Sequence, residues 1–256
     1  CTLFRNREER EAPGAFLTAD CRGNLRRLHD EFSKKHNGLK LRMGTEPEMM
    51  WLKFDENGKP KDGYSKPYCY HIDQFESLRP VYMKVIEYAR LMGLDMIQGD
   101  HEDAPGQLEL NFTFDDVLRN ADRLTTYRQI CAQVAREFGI FACFMSKPFM
   151  GVSASGCHHN MSLWRGGEDV FIPMGNDPKN LPGMQENYMH VRGGENTFMP
   201  DGDDPQMPQK AGLEAIGGIV HHLRALTASG CSTVNSYRRL WDTGFWAPVF
   251  ADWGFQ

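Results

Sequence analysis

The chain has 256 residues, 41% hydrophobic and 25% charged, with a formal net charge of −5. No apolar run approaches the roughly 18 residues that a membrane-spanning helix needs, and the negative balance gives no general attraction to nucleic acid or anionic membranes. Seven cysteines, at positions 1, 21, 69, 131, 143, 157 and 231, are scattered without a C-x-x-C pair, which argues against a disulfide framework or zinc knuckle and for a reducing cytoplasm.

The start, at Cys1 rather than Met and without a signal-peptide pattern, suggests a fragment, and residues 1–15 read as a charged, flexible lead-in. A first helix is expected from Asp20 to His36, with Leu25, Leu28 and Phe32 on one stripe and Asn37-Gly38 ending it. LRMGTEPEMMWLKF then reads as a strand with Glu46 and Glu48 on one face, followed by a hairpin-like loop over 55–66. A second helix is expected from Asp73 to Met92, opened by an Asp73/Glu76 capping box and closed by Gly93.

HEDAPGQLELNFTF, from His101 to Phe114, follows as strand, Pro-Gly turn and strand. Leu108, Leu110, Phe112 and Phe114 alternate toward a core, and Glu109, Asn111 and Thr113 face the other way. Asp115 and Asp116 can cap a third helix reaching Phe138. FACFMSKPFMG and SGCHHNMSLW read as two further strands, the second with His158, Asn160 and Ser162 on one face. Residues 173–208 form a long aperiodic loop, a fourth helix runs from Gln209 to Ala228, and Arg238 and Arg239 fall at its end. Helices mixed with antiparallel-looking strands, without strict βαβ alternation, favour an α+β fold with helices packed on one sheet.

Glu46, Glu48, Glu102, Glu109 and His158 all fall on or beside these strands. Each acid alone reads equally as a solvated edge carboxylate. Gathered together, like charges raise one another's pKa, and Mg2+ or Mn2+ held by oxygens and one imidazole would neutralise them. Arg238, Arg239 and Lys147 suit either a structural role or an anion clamp. There is no P-loop and no credible G-x-G-x-x-G.

Five motifs in order, GTEPE (Gly44–Glu48), HEDAPGQLE (His101–Glu109), MSKPFMG (Met145–Gly151), SGCHHNMSL (Ser155–Leu163) and NSYRRL (Asn235–Leu240), resemble those of the glutamine synthetase family. The resemblance implies part of a glutamine-synthetase-like catalytic domain across 1–256, with the N-terminal β-grasp domain and the C-terminal part absent. It also implies an ATP-dependent ligase that joins the γ-carboxylate of glutamate to an amine through γ-glutamyl phosphate, with Mg2+ or Mn2+. Carried over by motif, Glu48, Glu102 and Glu109 would bind the metal on the glutamate side, and Glu46 and His158 the one at the nucleotide phosphates. Arg239 would offset charge on the transferring phosphoryl group. Ser153, Ala154 and Gly156 would belong to the glutamate-binding loop, and Phe114, Asn160 and Ser162 to the nucleotide side. The family further implies a homo-oligomer, a stacked-ring dodecamer in the full-length protein.

The departures bear on the acceptor. The glutamate loop, usually Asn-Gly-Ser-Gly-Met-His, is Ser153-Ala154-Ser155-Gly156-Cys157-His158, and Asn160 replaces the second His of H-x-H. The residues 173–208 look like an insertion. Where the family carries a flap glutamate just before Ala-Pro, this chain has LWDTGFWAP, with Trp246 before Ala247-Pro248. Trp accepts no proton and offers an apolar wall, which points to a small alkyl or aromatic amine as acceptor, as in the γ-glutamylmethylamide synthetases, with Asp242 in place of the missing base. An ordinary ammonia-using glutamine synthetase and a non-catalytic binding or regulatory member are the two other readings.

Overall fold

The computed structural model describes residues 2–5, 16–61, 69–167, 170–173, 188–191, 193–198 and 210–241. In chain order the elements are α1 (Cys21–Lys35), β1 (Lys40–Phe54), β2 (Pro60–Lys61), α2 (Ile72–Ser77), α3 (Arg79–Leu91), β3 (Met96–His101) and β4 (Gln107–Phe112), then β5 (Asp115–Asp116), α4 (Val117–Glu137), β6 (Phe141–Cys143) and β7 (Cys157–Arg165). After these come β8 (Val170–Pro173), β9 (Tyr188–Val191), β10 (Glu195–Asn196), α5 (Lys210–Gly230), α6 (Val234–Tyr237) and a 3-10 turn over Arg238–Leu240. The α+β expectation holds, and the strand pairings defined by register all run antiparallel. The chain forms two compact units, one of Cys1–Arg42, Asp115–Leu118 and Met161–Gly212, the other of Met43–Phe114, Arg119–Asn160 and Leu213–Gln256.

In the first unit, α1 ends as expected, with positive φ at Asn37 (53°) and Gly38 (81°). Its predicted apolar stripe is not buried: no α1 residue is, and Leu28 is exposed. Asp20 stands at the N-cap, but its Oδ2 accepts from the Leu3 N–H at 3.1 Å instead of capping. Within the lead-in, Phe4 is bridged to Phe16, and their rings are 5.0 Å apart. The long 173–208 segment is not wholly irregular either. Its β9 pairs antiparallel with β8, which ends at Pro173, and β10 pairs with the end of β7 through Glu195–Arg165 and Asn196–Trp164. Residues 174–187, 192 and 199–208 of that segment lie outside the described residues.

The second unit holds the main core. Met49 and Trp51 of β1 and Leu108, Leu110 and Phe112 of β4 face Val81, Tyr82 and Val85 of α3 and Tyr127, Cys131 and Val134 of α4. Burying each such side chain contributes about 1.5–3 kcal/mol. The alternate residues of β1, Met50 and Leu52, pack with Ala104 and Cys143 on the opposite side, and Glu46 and Glu48 continue that second face. In strand order β4 lies between β1 and β3.

Four local expectations need correction. The single helix from Asp73 to Met92 is two, broken at Leu78. Pro80 has no N–H to give and crowds the carbonyl four residues before it, so the helix restarts rather than continues. The capping box fails with it: His71 is the N-cap of α2, and Glu76 accepts from Arg79 and Tyr82 instead. Of FACFMSKPFMG only Phe141–Cys143 is strand, since Pro148 cannot donate to a ladder. Strand β4 stops at Phe112, which leaves Phe114 37% exposed rather than in the core. Arg238 and Arg239 do not end the fourth helix. Thr233 accepts from the Ser236 N–H and starts the separate α6, and the arginines follow on the 3-10 turn.

Candidate active site

The register of three strands lines up three carboxylates. Glu48 on β1 is opposite Glu109 on β4, and Glu109 is opposite Asp100 on β3. Directly paired residues in a sheet project to the same face, so the three acids form one row. Asn111 pairs with Gln98 in the next row, and each amide donates back to the acid two residues away. Asn111 Nδ2 reaches Glu109 Oε1 at 2.7 Å, and Gln98 Nε2 reaches Asp100 Oδ2 at 2.6 Å. Asp100 stands in none of the expected ligand positions, and only cross-strand register reveals it.

Glu46, two residues from Glu48, is held at both oxygens. His158 Nδ1 lies 3.1 Å from its Oε2, and Asn160 Nδ2 donates to Oε1 at 2.7 Å. Asn160 thus sits beside a predicted ligand, and both it and Phe114 lie next to Gly44, where an added Cβ would be 3.8 and 3.5 Å from their Cβ atoms. Ser162 belongs to the other unit, where its hydroxyl accepts from the Trp164 indole N–H at 2.8 Å.

The predicted glutamate loop closes over Glu48. The Gly156 N–H donates to Glu48 Oε2 at 2.9 Å, and the Ala154 carbonyl accepts from Gln107 Nε2 at 3.1 Å. The same Gln107 amide donates to Glu48 Oε2 and Ser155 Oγ, while Gln107 Oε1 accepts from the Ala104 N–H. Gln107 is 1% exposed, so it is the buried joint between turn, loop and acid. The Ser153 hydroxyl donates to the Asp103 carboxylate. Gly156 lacks a side chain for a steric reason: a Cβ there would lie 2.8 Å from Glu48 Oε1.

The arginine turn is tied to the MSKP segment by one residue. Asn235 Oδ1 accepts from the Lys147 N–H at 2.8 Å, and Asn235 Nδ2 donates to the Lys147 carbonyl at 2.7 Å. Lys147 itself is buried, with its ammonium on the Val152 carbonyl; burial lowers its pKa. It is a structural strut, not an exposed anion clamp. Arg239 lies close enough to Cys157 to act on its thiol electrostatically, and it makes no ion pair or hydrogen bond with another described residue. Asp242 and Trp246 lie outside the described residues.

Burial is the first cause that pushes Glu102 up to about 8, with Glu48, Glu109, Asp100 and Asp103 adding repulsion. Glu109 is raised too, first by burial, with the Asn111 hydrogen bond opposing and Glu46, Glu48 and Asp100 reinforcing. Such a cluster is stabilised by bound positive charge. Glu46, Glu109 and His158 each offer one ligand atom, all within 4.8 Å of one another, and the buried Asn111 Oδ1 has no hydrogen-bond partner. Oxygen-rich donors with one imidazole fit a divalent cation such as Mg2+ or Mn2+. Glu46 and His158, which the motifs assign together, lie in this group with Glu109. Glu48 Oε2 accepts from the Gly156 N–H and from Gln107 Nε2.

Residues 18–190 and 177–256 match the family model described as glutamine synthetase, catalytic domain. The chain belongs to the glutamine synthetase family. A glutamine synthetase of Thermococcus kodakarensis is 32% identical over 244 residues, covering 93% of this chain and 46% of that protein. Among solved structures, GmaS without ligand aligns with a TM-score of 0.69 at 29% identity over 89% of this chain and 47% of that one. A complex of GmaS with ADP aligns with a TM-score of 0.68 at 28% identity over 88% of this chain and 45% of that one. The chain spans about half the length of the glutamine synthetases it matches. Among the described residues, no helix is long and apolar enough to cross a membrane.

Proposed function

We propose that the protein is an ATP-dependent ligase joining the γ-carboxylate of glutamate to a small organic amine. The observation that carries this reading is the convergence of Glu46, Glu109 and His158 on the strand face where the family motifs place metal ligands. A bound Mg2+ or Mn2+ supplies positive charge to the phosphate oxygens and the substrate carboxylate. The chain's own residues do the rest. Glu46, Glu48, Glu102 and Glu109 hold the charge in place, and the Ser153–Gly156 loop positions glutamate. Asn160 and Phe114 flank the nucleotide.

A γ-carboxylate oxygen attacks the terminal phosphorus of ATP, ADP leaves, and γ-glutamyl phosphate forms. The Arg239 guanidinium offsets the charge that spreads over the transferring oxygens. The amine nitrogen then attacks the acyl carbon and inorganic phosphate leaves. Asp242 takes the proton that the amine sheds.

Trp246 before Ala247-Pro248 favours an organic amine over ammonia, because an indole offers apolar contact and no proton acceptor. Likeness to GmaS, a γ-glutamylmethylamide synthetase, supports the same choice. The second reading, ammonia as acceptor, draws support from relatives named glutamine synthetase at 30–32% identity. Family membership also supports a homo-oligomer of stacked rings. Free thiols, among them the buried Cys131 and Cys143, suit a reducing cytoplasm.

Phosphate release by the intact protein, with ATP, glutamate and a panel of ammonia, methylamine, ethylamine and aniline, tests the acceptor. An organic amine giving the highest kcat/KM is the expected result. Preference for ammonia establishes the second reading, and no amine-dependent release removes the ligase reading altogether.

A further inference from the structure

Resting on that metal-dependent reading, we propose that Asn111 is itself part of the cation site, an oxygen ligand through Oδ1 and a positioning residue for Glu109 through Nδ2. Asn111 is 7% exposed and follows Glu109 by two residues on β4, so both side chains leave the same face of the strand. Its Nδ2 donates to Glu109 Oε1 at 2.7 Å. That bond fixes the carboxylate's rotation and leaves Oε2 as the oxygen without an amide on it. Oδ1, the other branch of the same carboxamide, is buried without a hydrogen-bond partner.

A buried amide oxygen without a donor is costly unless something positive meets it. An Asn carbonyl is a hard, neutral oxygen ligand of the kind Mg2+ and Mn2+ accept. The neighbours suit that role. Glu46 occupies on β1 the place, two residues along from Glu48, that Asn111 occupies on β4 two along from Glu109. Glu46, Glu109 and His158 already bring ligand atoms within 4.8 Å of one another. A neutral fourth donor also adds coordination without a further negative charge beside Glu46 and Glu109.

A purely structural prop would use Nδ2 alone, and the two roles separate by experiment. Mn2+ alone, without nucleotide, is titrated into the intact protein and followed by the electron paramagnetic resonance of free Mn2+, with thermal melting of each variant measured in parallel. Asn111→Leu, which removes both contacts, is expected to weaken Mn2+ at least about 10-fold. Asn111→Asp, which keeps an oxygen where Oδ1 stands, is expected to bind Mn2+ at least as tightly as wild type, although without metal it melts earlier because a new carboxylate faces Glu109. Wild-type affinity in Asn111→Leu overturns the proposal, and so does an Asn111→Asp protein as weak as Asn111→Leu. If Asn111→Leu does not fold, Asn111→Asp is judged against wild type, and an affinity at least about 10-fold weaker overturns the proposal. A wild-type protein that binds no Mn2+ removes the metal-dependent reading, and this inference with it, whereas wild-type binding with an unaffected Asn111→Leu removes the inference only.

Discussion

Glu48 and Gly156 are bonded in both directions: the Gly156 N–H donates to Glu48 Oε2 at 2.9 Å, and the Glu48 N–H donates to the Gly156 carbonyl at 3.2 Å. The strand and the Ser153–Gly156 loop therefore hold each other through main chain and side chain at one point. A Cβ on Gly156 would stand 2.8 Å from Glu48 Oε1 and 3.2 Å from His158 Nε2, close enough to force both away. Gly156→Ala is expected to cost about 1–3 kcal/mol of stability through overpacking and to weaken Mn2+ about 10- to 100-fold. Calorimetric titration beside a melting curve checks both figures. Unchanged affinity would show that Glu48 needs no support from this loop.

The acid cluster sets a pH dependence. Glu102 titrates near 8 in the folded protein against an ordinary 4.5, so the folded state binds its proton more tightly than the unfolded chain does. Stability contributed by that proton is complete below the ordinary value and is lost as pH rises toward about 8. Metal-free protein is thus expected to melt progressively earlier between pH 5 and 8, roughly that window, and Glu102→Gln should flatten the slope. Excess Mg2+ should oppose the loss, because it binds the deprotonated form. Melting temperatures across pH with and without Mg2+ measure this, and a slope identical in Glu102→Gln would rule Glu102 out as its source.

Asn235 makes two bonds to the backbone of Lys147. Asn235→Ala removes both, at about 0.5–1.5 kcal/mol each. Urea denaturation should therefore report a loss of roughly 1–3 kcal/mol. Asn235→Asp keeps the acceptor and loses the donor, and should fall between. A loss in Asn235→Ala no larger than in Asn235→Asp would mean that the Nδ2 bond carries the clamp.

Arg239 leaves the same short turn that Asn235 anchors. Arg239→Ala is expected to slow amine-dependent phosphate release on the order of 10³-fold, the range seen when a transition-state arginine is removed. ADP binding by the folded variant should stay close to wild type. Weakened ADP binding with an unaltered turnover rate would assign Arg239 to nucleotide affinity instead.

The strand faces that carry the acids were more legible in the chain than the joints that support them. Alternation placed Glu46, Glu48 and Glu109 on polar strand faces, and the helix over Cys21–Lys35 and the long helix after Asp116 follow from periodicity and their terminal signals. Periodicity is local, however, and the supports are not. Asp100 joins the acid row only through register with Glu109, and Gln107 gathers a turn and a loop 47 residues apart. Pro80 carried the signal that breaks the second helix, but its apolar spacing continues across the break and masks it. Leu25, Leu28 and Phe32 show the reverse case, a stripe with helical spacing that buries nothing among the described residues.

The contacts that build the site span great distances along the chain: 108 residues between Gly156 and Glu48, 112 between His158 and Glu46, and 114 between Asn160 and Glu46. Such contacts repay the entropy of closing a long loop only once the ends have met, whereas helices form from neighbours within microseconds. Helix content is consequently a poor witness to an intact site. A preparation can regain most of its helical signal during refolding while the acids are still apart, and the late, slow event is the one in which the strands find their partners.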